Sequence, residues 1–186
     1  MGPAAILQGL WRDPQYEDAR VFVTAFAGAL LFRNLVMEPR YIPSSSMVPT
    51  FEIGDQLLLE KVSKRVSPYR RGDVVIFKAP DALVARGYSE RDVFIKRVVG
   101  TEGDEVQVHD GKLLVNGEAT EEPYIAEEPR YEWGPTIVPQ GSILVLGDNR
   151  NNSYDSHVWG MLSQDKVIGK AFCRYWPLSR AGGIPR

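Results

Sequence analysis

Val106-Gln107-Val108-His109-Asp110-Gly111-Lys112-Leu113-Leu114-Val115 decides what kind of fold this chain adopts. Apolar and polar residues alternate on the way in, Asp110-Gly111 stands in the middle, and apolar residues resume on the way out. Asp-Gly between two such runs signals a two-residue hairpin, because the tight turn that matches strand twist needs positive φ at its centre. The same punctuation recurs outward from it. Short β-rich runs occupy Gln56–Leu59, Val74–Lys78 and Val93–Val99 upstream, Val106–His109 and Lys112–Val115 in the hairpin, and Ser142–Leu146 and Lys170–Trp176 downstream. Arg71-Gly72-Asp73, Asn116-Gly117 and Pro139-Gln140-Gly141 supply turns between them. Strands this short and regular predict a mostly β chain, built as an antiparallel β-barrel or sandwich. Glu118–Pro135, rich in Glu and Pro, predicts a loop or small peripheral excursion, and the outgrowth as a whole is placed at residues 104–140.

Before Tyr41 the pattern is helical instead. Val21–Phe32 (VFVTAFAGALLF) is the one long apolar run, interrupted by Arg33-Asn34, resumed by Leu35-Val36-Met37 and ended by Glu38-Pro39. From Val21 to Met37 it is about 17 residues, the lower limit for crossing a bilayer. Arg33 is costly at mid-bilayer, but near the end of the run its head can snorkel to the interface. One N-terminal transmembrane helix is therefore expected at 18–38, between a tail at 1–17 and a β-rich domain at 39–180, with a second tail at 181–186. A buried or interfacial helix is the competing reading of the same residues. Ala27-Gly28-Ala29 has the small residues of a leader cleavage site, yet it lies inside the apolar run and not after it, which argues against a removed signal peptide. Arg12 and Arg20 before the run and Arg33 and Arg40 after it leave the positive-inside rule without a direction.

Composition narrows the chemistry. A formal net charge of −2 argues against nucleic acid, which calls for a basic face. Cys173 is the single cysteine, so neither an internal disulfide nor a cysteine metal site is available. His109 and His157 stand far apart on dissimilar segments, which leaves little material for a histidine zinc site or a Ser-His-Asp triad.

Three segments could carry catalysis. In Pro43-Ser44-Ser45-Ser46-Met47-Val48-Pro49-Thr50 two prolines bracket a serine cluster and hold it extended, so a hydroxyl can be presented at a fixed angle. A plain polar turn reads the same way until a base is found. With the histidines poor candidates, the base would be a lysine kept neutral. Lys96 sits in Val93-Phe94-Ile95-Lys96-Arg97-Val98-Val99, where alternation puts Phe94, Lys96 and Val98 on one face and Val93, Ile95, Arg97 and Val99 on the other. Each face is apolar except for one cation, so the strand reads as buried on both sides, and burial lowers a lysine pKa. Arg97 is expected to add positive potential in the same direction. A lysine whose stem packs and whose head reaches solvent is the alternative. The third segment, Gly147-Asp148-Asn149-Arg150-Asn151-Asn152-Ser153-Tyr154-Asp155-Ser156-His157, packs many hydrogen-bonding side chains into one loop after a strand.

Taken in order, Pro43–Met47 after an apolar segment, Arg71–Lys78, Phe94–Arg97 with Gly103-Asp104, and Gly147–Ser153 resemble the signature boxes of type I signal peptidases. The resemblance runs from the apolar segment to Trp176. Tyr154–Gly160 and Glu38–Pro43 look most like the cyanobacterial and plastid thylakoidal branch.

The resemblance implies a membrane-bound serine endopeptidase that removes N-terminal signal or thylakoid-transfer peptides from exported preproteins after Ala-x-Ala sites. It matches Ser46 to the nucleophile, Lys96 to the general base, Ser44 to an oxyanion-stabilising hydroxyl and Ser153 to the hydroxyl that orients the lysine. Asp148 matches a buried carboxylate that pairs with Arg97, and Asp155 a second structural carboxylate. Where many members place an arginine two residues after Asp155, this chain has His157, so support of the loop is expected to weaken as His157 loses its charge. Ile42, Met47, Phe94 and Ile95 are implied to line shallow pockets for small side chains, with the substrate added as a strand along the edges around Ile42 and Asp92–Ile95. No metal and no organic cofactor is implied. The partners are preprotein signal peptides and the lipid bilayer. The location is single-pass in a cell inner or thylakoid membrane, with the β-domain on the trans side in periplasm or thylakoid lumen. Two rival readings remain. A self-cleaving repressor would carry a DNA-binding helical domain before Tyr41, and a silent peptide-binding β-module would lack the serine or the lysine.

Overall fold

Asp110 and Gly111 both take positive φ, 48° and 72°, and between them the chain reverses as the sequence predicts. The arms pair in register with Val106 opposite Val115 and His109 opposite Lys112. The computed structural model describes residues 14–186, so most of the tail expected at 1–17 lies outside the described residues.

The chain divides into two units at Met37/Glu38. The first holds helix α1 (Glu17–Leu35), which starts and stops slightly earlier than expected. Among the described residues, no helix is long and apolar enough to cross a membrane. The physical reason is local: Glu17, Asp18 and Arg20 open α1 and Arg33 stands in its last turn, so its two ends dilute the apolar run.

Among the described residues the strands form two antiparallel sheets. The larger runs in the order β1 (Met37–Tyr41), β2 (Gln56–Glu60), β11 (Val167–Trp176), β3 (Val74–Lys78), β4 (Val93–Gly100), β9 (Ser142–Leu146), β10 (Leu162–Ser163), with β12 (Gly182–Gly183) paired to β11. The smaller runs β7 (Glu118–Ala119), β6 (Lys112–Val115), β5 (Glu105–His109), β8 (Trp133–Ile137). The stretch expected to loop out from Glu118 to Pro135 therefore contributes β7 and most of β8, a strand hidden in the sequence by Gly134 and Pro135. Helix is not confined to the N-terminus either. Single turns form at α2 (Ser63–Val66), α3 (Asp81–Val84) and α4 (Ser156–Trp159), each too short to show a period in the sequence.

Alternation along β3 fills both faces of the large sheet. Val75 and Phe77 join Val98, Val145 and Trp159 on one side. Val74 and Ile76 join Ile42, Met47, Leu57, Leu59 and Ile95 on the other. A third cluster packs Val99, Leu144 and Leu146 against Val106, Val108, Leu113 and Val115 of the small sheet. Gly100 is what lets the sheets meet there, since a Cβ on it would stand 2.6 Å from Val106 Cγ2.

Candidate active site

Lys96 opposes Val75 on β3, in the middle of the large sheet, and is 3% exposed. Its Nζ lies 2.7 Å from Ser46 Oγ and donates a second hydrogen bond to Ile95 O at 2.9 Å. Burial pulls the Lys96 pKa down from 10.5 to about 8, against the carboxylates of Asp155 and Asp148, which favour the charged form. Arg97, expected to push the same way as burial, has its guanidinium held by Asp148, which offsets its charge. Arg97 Nε and Nη2 donate to the two carboxylate oxygens at 2.8 and 2.7 Å, with both side chains fully buried. Desolvation alone lowers the lysine.

The register of the strands explains how Arg97 and Asp148 meet. Arg97 opposes Leu146 at the end of β9, and the chain continues from Leu146 directly into Gly147 and Asp148. Residues to which the sequence assigns no role complete the shell. Thr50 Oγ1 donates to Asp148 Oδ2 at 2.6 Å. Arg97 Nη1 donates to Gly72 O and Pro185 O, at 2.9 and 2.7 Å, and the guanidinium lies 3.8 Å over the Tyr124 ring.

The loop after β9 also grips the serine cluster. Asn149 N donates to Ser46 O at 3.1 Å, and Asn149 Nδ2 donates to Ser45 O at 3.1 Å. Gly147 permits this approach: a Cβ there would fall 2.2 Å from Ser153 Oγ and 2.5 Å from Ser46 O. Asp155 secures the loop from behind, accepting from Gly147 N at 2.9 Å and capping α4 through His157 N at 3.3 Å. As expected for the His157 departure, the ring itself meets Asp155, Nδ1 to Oδ1 at 2.8 Å, and Tyr131 stacks on it at 4.3 Å between centroids. Arg150 forms a buried pair with Glu122 at 2.5 and 2.6 Å, which the sequence also left unmarked.

The remaining site residues divide. Ser44 Oγ is 3.4 Å from Ser46 Oγ and exposed. Ser153 Oγ is buried with no hydrogen-bond partner among the described residues, so it does not bond Lys96 here. Ile42, Phe94 and Ile95 line a groove of about 220 Å³ together with Tyr41, Pro43 and Val93. Met47 is fully buried in the core behind them.

Along one side of the groove, β4 main-chain groups face no neighbouring strand among the described residues. Ala79 N donates to Asp92 O in the register that pairs Lys96 with Val75, so even-numbered residues of β4 turn their main-chain groups toward β3. Val93 and Ile95 turn theirs the other way, where pairing with β9 starts only at Arg97, and there Lys96 Nζ occupies Ile95 O. A serine hydroxyl in contact with a buried lysine of lowered pKa, beside a strand edge, is an arrangement that can form an acyl-enzyme on an extended peptide.

The family described as signal peptidase, peptidase S26, matches residues 16–176. Over 166 residues the chain is 51% identical to a probable signal peptidase I-2 of a Synechocystis species, covering 89% of this chain and 75% of that protein. It is 48% identical over 172 residues to a signal peptidase I of Leptolyngbya laminosa, covering 92% and 85%. It is 51% identical over 168 residues to a probable chloroplastic thylakoidal processing peptidase 2 of Arabidopsis thaliana, covering 90% of this chain and 46% of that one, about half its length.

Proposed function

The chain belongs to the signal peptidase family S26 and is a serine peptidase that removes signal peptides, and from that premise we propose that Ser46 is its nucleophile and Lys96 its general base. The observation that carries the assignment is the 2.7 Å contact between Ser46 Oγ and a lysine that is 3% exposed. With its pKa at about 8, roughly a tenth of Lys96 is neutral at pH 7. In that form the Ser46 hydroxyl donates its proton to Nζ while Oγ attacks the scissile carbonyl carbon. The oxyanion is met by Ser46 N–H and the Ser44 hydroxyl. The resulting ammonium protonates the leaving amine, and Lys96 then deprotonates the water that frees Ser46. Ser153 Oγ, buried without a partner among the described residues, is available to take a hydrogen bond from Nζ once substrate displaces the Ile95 contact. Arg97, Asp148 and Asp155 act as supports.

The substrate is a preprotein segment that adds as a strand to the edge at Val93 and Ile95, with Ala-x-Ala side chains turned into the shallow groove formed by Ile42, Phe94 and Ile95, with Met47 packed behind. The exposed apolar residues of α1 support membrane anchoring. Val21, Phe22, Val23, Phe26, Leu30, Leu31, Phe32 and Leu35 are each at least 40% exposed. At about 100° per residue they fall all around the axis, the distribution of a helix with lipid on every side and not only one. At about 1.5 Å per residue its 19 residues approach the roughly 30 Å hydrocarbon thickness, with Arg20 and Arg33 near its ends. The β-domain then stands on the trans side of a cell inner or thylakoid membrane, where exported preproteins emerge.

Cleavage of a preprotein in detergent micelles by the parent, Ser46→Ala and Lys96→Ala tests the assignment. The parent cuts after Ala-x-Ala and both folded variants are inert. Full activity in either variant removes the dyad and assigns the cleavage to other residues, whereas an inert parent leaves a β-module that only binds extended peptides.

A further inference from the structure

Beyond the dyad, on whose assignment this inference rests, we infer that Asn149 is a positioning residue that sets the oxyanion site by fixing the Ser45–Ser46 peptide plane. Ser45 O accepts two hydrogen bonds, from Val48 N at 3.1 Å and from Asn149 Nδ2 at 3.1 Å. Only the amide nitrogen of Asn149 can donate to a carbonyl, so the orientation of its side chain follows from this contact. A trans peptide is planar, with its C=O and N–H pointing in opposite directions. Holding Ser45 O therefore aims Ser46 N–H away from Asn149, and that N–H has no hydrogen-bond partner among the described residues. An unpaired donor on the residue that also carries the nucleophile is what a developing oxyanion requires.

The other hydrogen bonds at this junction make the side-chain contact selective. Asn149 N donates to Ser46 O, so the main chain of the loop fixes the peptide plane after Ser46, and the side chain fixes the plane before it. Val48 N bonds Ser45 O from within the serine turn itself and moves with that turn. Asn149 Nδ2 is the link that ties this plane to the loop after β9, and hence to the frame of β4 and Lys96. Asn152 Nδ2 reaches Ser45 Oγ at 3.4 Å, a contact to the side chain that leaves the plane free to rotate. Asn149 touches neither Lys96 nor Asp148 through its side chain among the described contacts, so losing it leaves the proton acceptor in place.

Asn149→Ala removes only the side-chain bond. Asn149→Asp sets a carboxylate against Ser45 O and turns the plane away. The expected result is a fall in kcat of about 10-fold for Asn149→Ala, part of the roughly 100-fold or more that losing an oxyanion donor costs. The fall is larger for Asn149→Asp, while KM stays within about twofold in both. The acid limb of the pH–rate profile stays where the parent has it, and the melting temperature falls by no more than about 2–4 °C, the cost of one lost hydrogen bond, a limit that a general loosening of the loop would exceed. Asn149→Ala with kcat within about twofold of the parent overturns the inference. So does a loss that appears in KM, or one accompanied by a shifted limb or a fall in melting temperature well beyond about 4 °C. Ser46→Ala is run alongside: if it cleaves, the dyad has failed, whereas an inert Ser46→Ala beside a fully active Asn149→Ala sinks the role of Asn149 alone.

Discussion

Lys96→Met should make the protein more stable at neutral pH and lose that advantage as the pH rises. Lys96 is 3% exposed and its pKa is pulled from 10.5 to about 8 by burial. At about 1.36 kcal/mol per unit, holding the ammonium in this place costs the folded state about 3 kcal/mol. The sign follows from the proton balance. Between about pH 8 and 10.5 the unfolded lysine keeps a proton that the folded one has released, so the parent gains stability with rising pH. Below about pH 8 both states hold the proton and the full cost is present. Above 10.5 it has vanished. Methionine has similar length and no charge, so its stability lacks this term. It also loses the bonds from Nζ to Ser46 Oγ and Ile95 O, about 1 kcal/mol each, which offsets the difference by a constant and not by a slope. Urea titrations of parent and Lys96→Met in micelles, from pH 7 to 11, measure the difference directly. It should move by about 3 kcal/mol in favour of the parent across that range. A difference that stays flat within about 1 kcal/mol would refute the buried, lowered lysine.

Other perturbations test the supports. Asp148→Ala leaves the fully buried Arg97 without its bidentate partner and should cost about 3–5 kcal/mol, roughly 10 °C in melting temperature; an unchanged melt would mean that Thr50, Gly72 and Pro185 suffice for Arg97. Gly147→Ala forces a methyl to within 2.5 Å of Ser46 O and 2.2 Å of Ser153 Oγ, so kcat should fall by about 100-fold or more as the nucleophile is displaced; near-parental turnover would show that the serine segment moves freely. Deleting residues 1–35 should release the chain from sedimenting lipid vesicles, and continued co-sedimentation would contradict anchoring through α1.

What the sequence disclosed is what short-range pattern can carry. The hairpin at Asp110-Gly111 was legible because two adjacent residues specify its turn. Lys96 was legible because alternation within Val93–Val99 put a cation on an apolar face. Contacts assembled from distant segments left no such mark. Thr50 and Asn149 stand inside quoted segments, but their partners lie across long stretches of chain, and Tyr124 and Glu122 sit in no local pattern that requires them. Strand β8 escaped notice because Gly134 and Pro135, both poor strand residues, lie inside it. In α1 the apolar run was readable, but its charged ends decide how much of it is apolar enough to cross. Arg97 meets Asp148, and this pairing offsets the charge that the strand pattern alone sets beside Lys96.

The most direct test of a neutral Lys96 acting on Ser46 is the pH dependence of kcat/KM for preprotein cleavage between pH 5 and 10. The account predicts an acid limb with an apparent pKa of about 8, unchanged by His157→Gln, with activity rising as Lys96 loses its proton. A limb near the ordinary histidine value of about 6.5 that disappears in His157→Gln would contradict it, and so would a rate that does not change from pH 7 to 9.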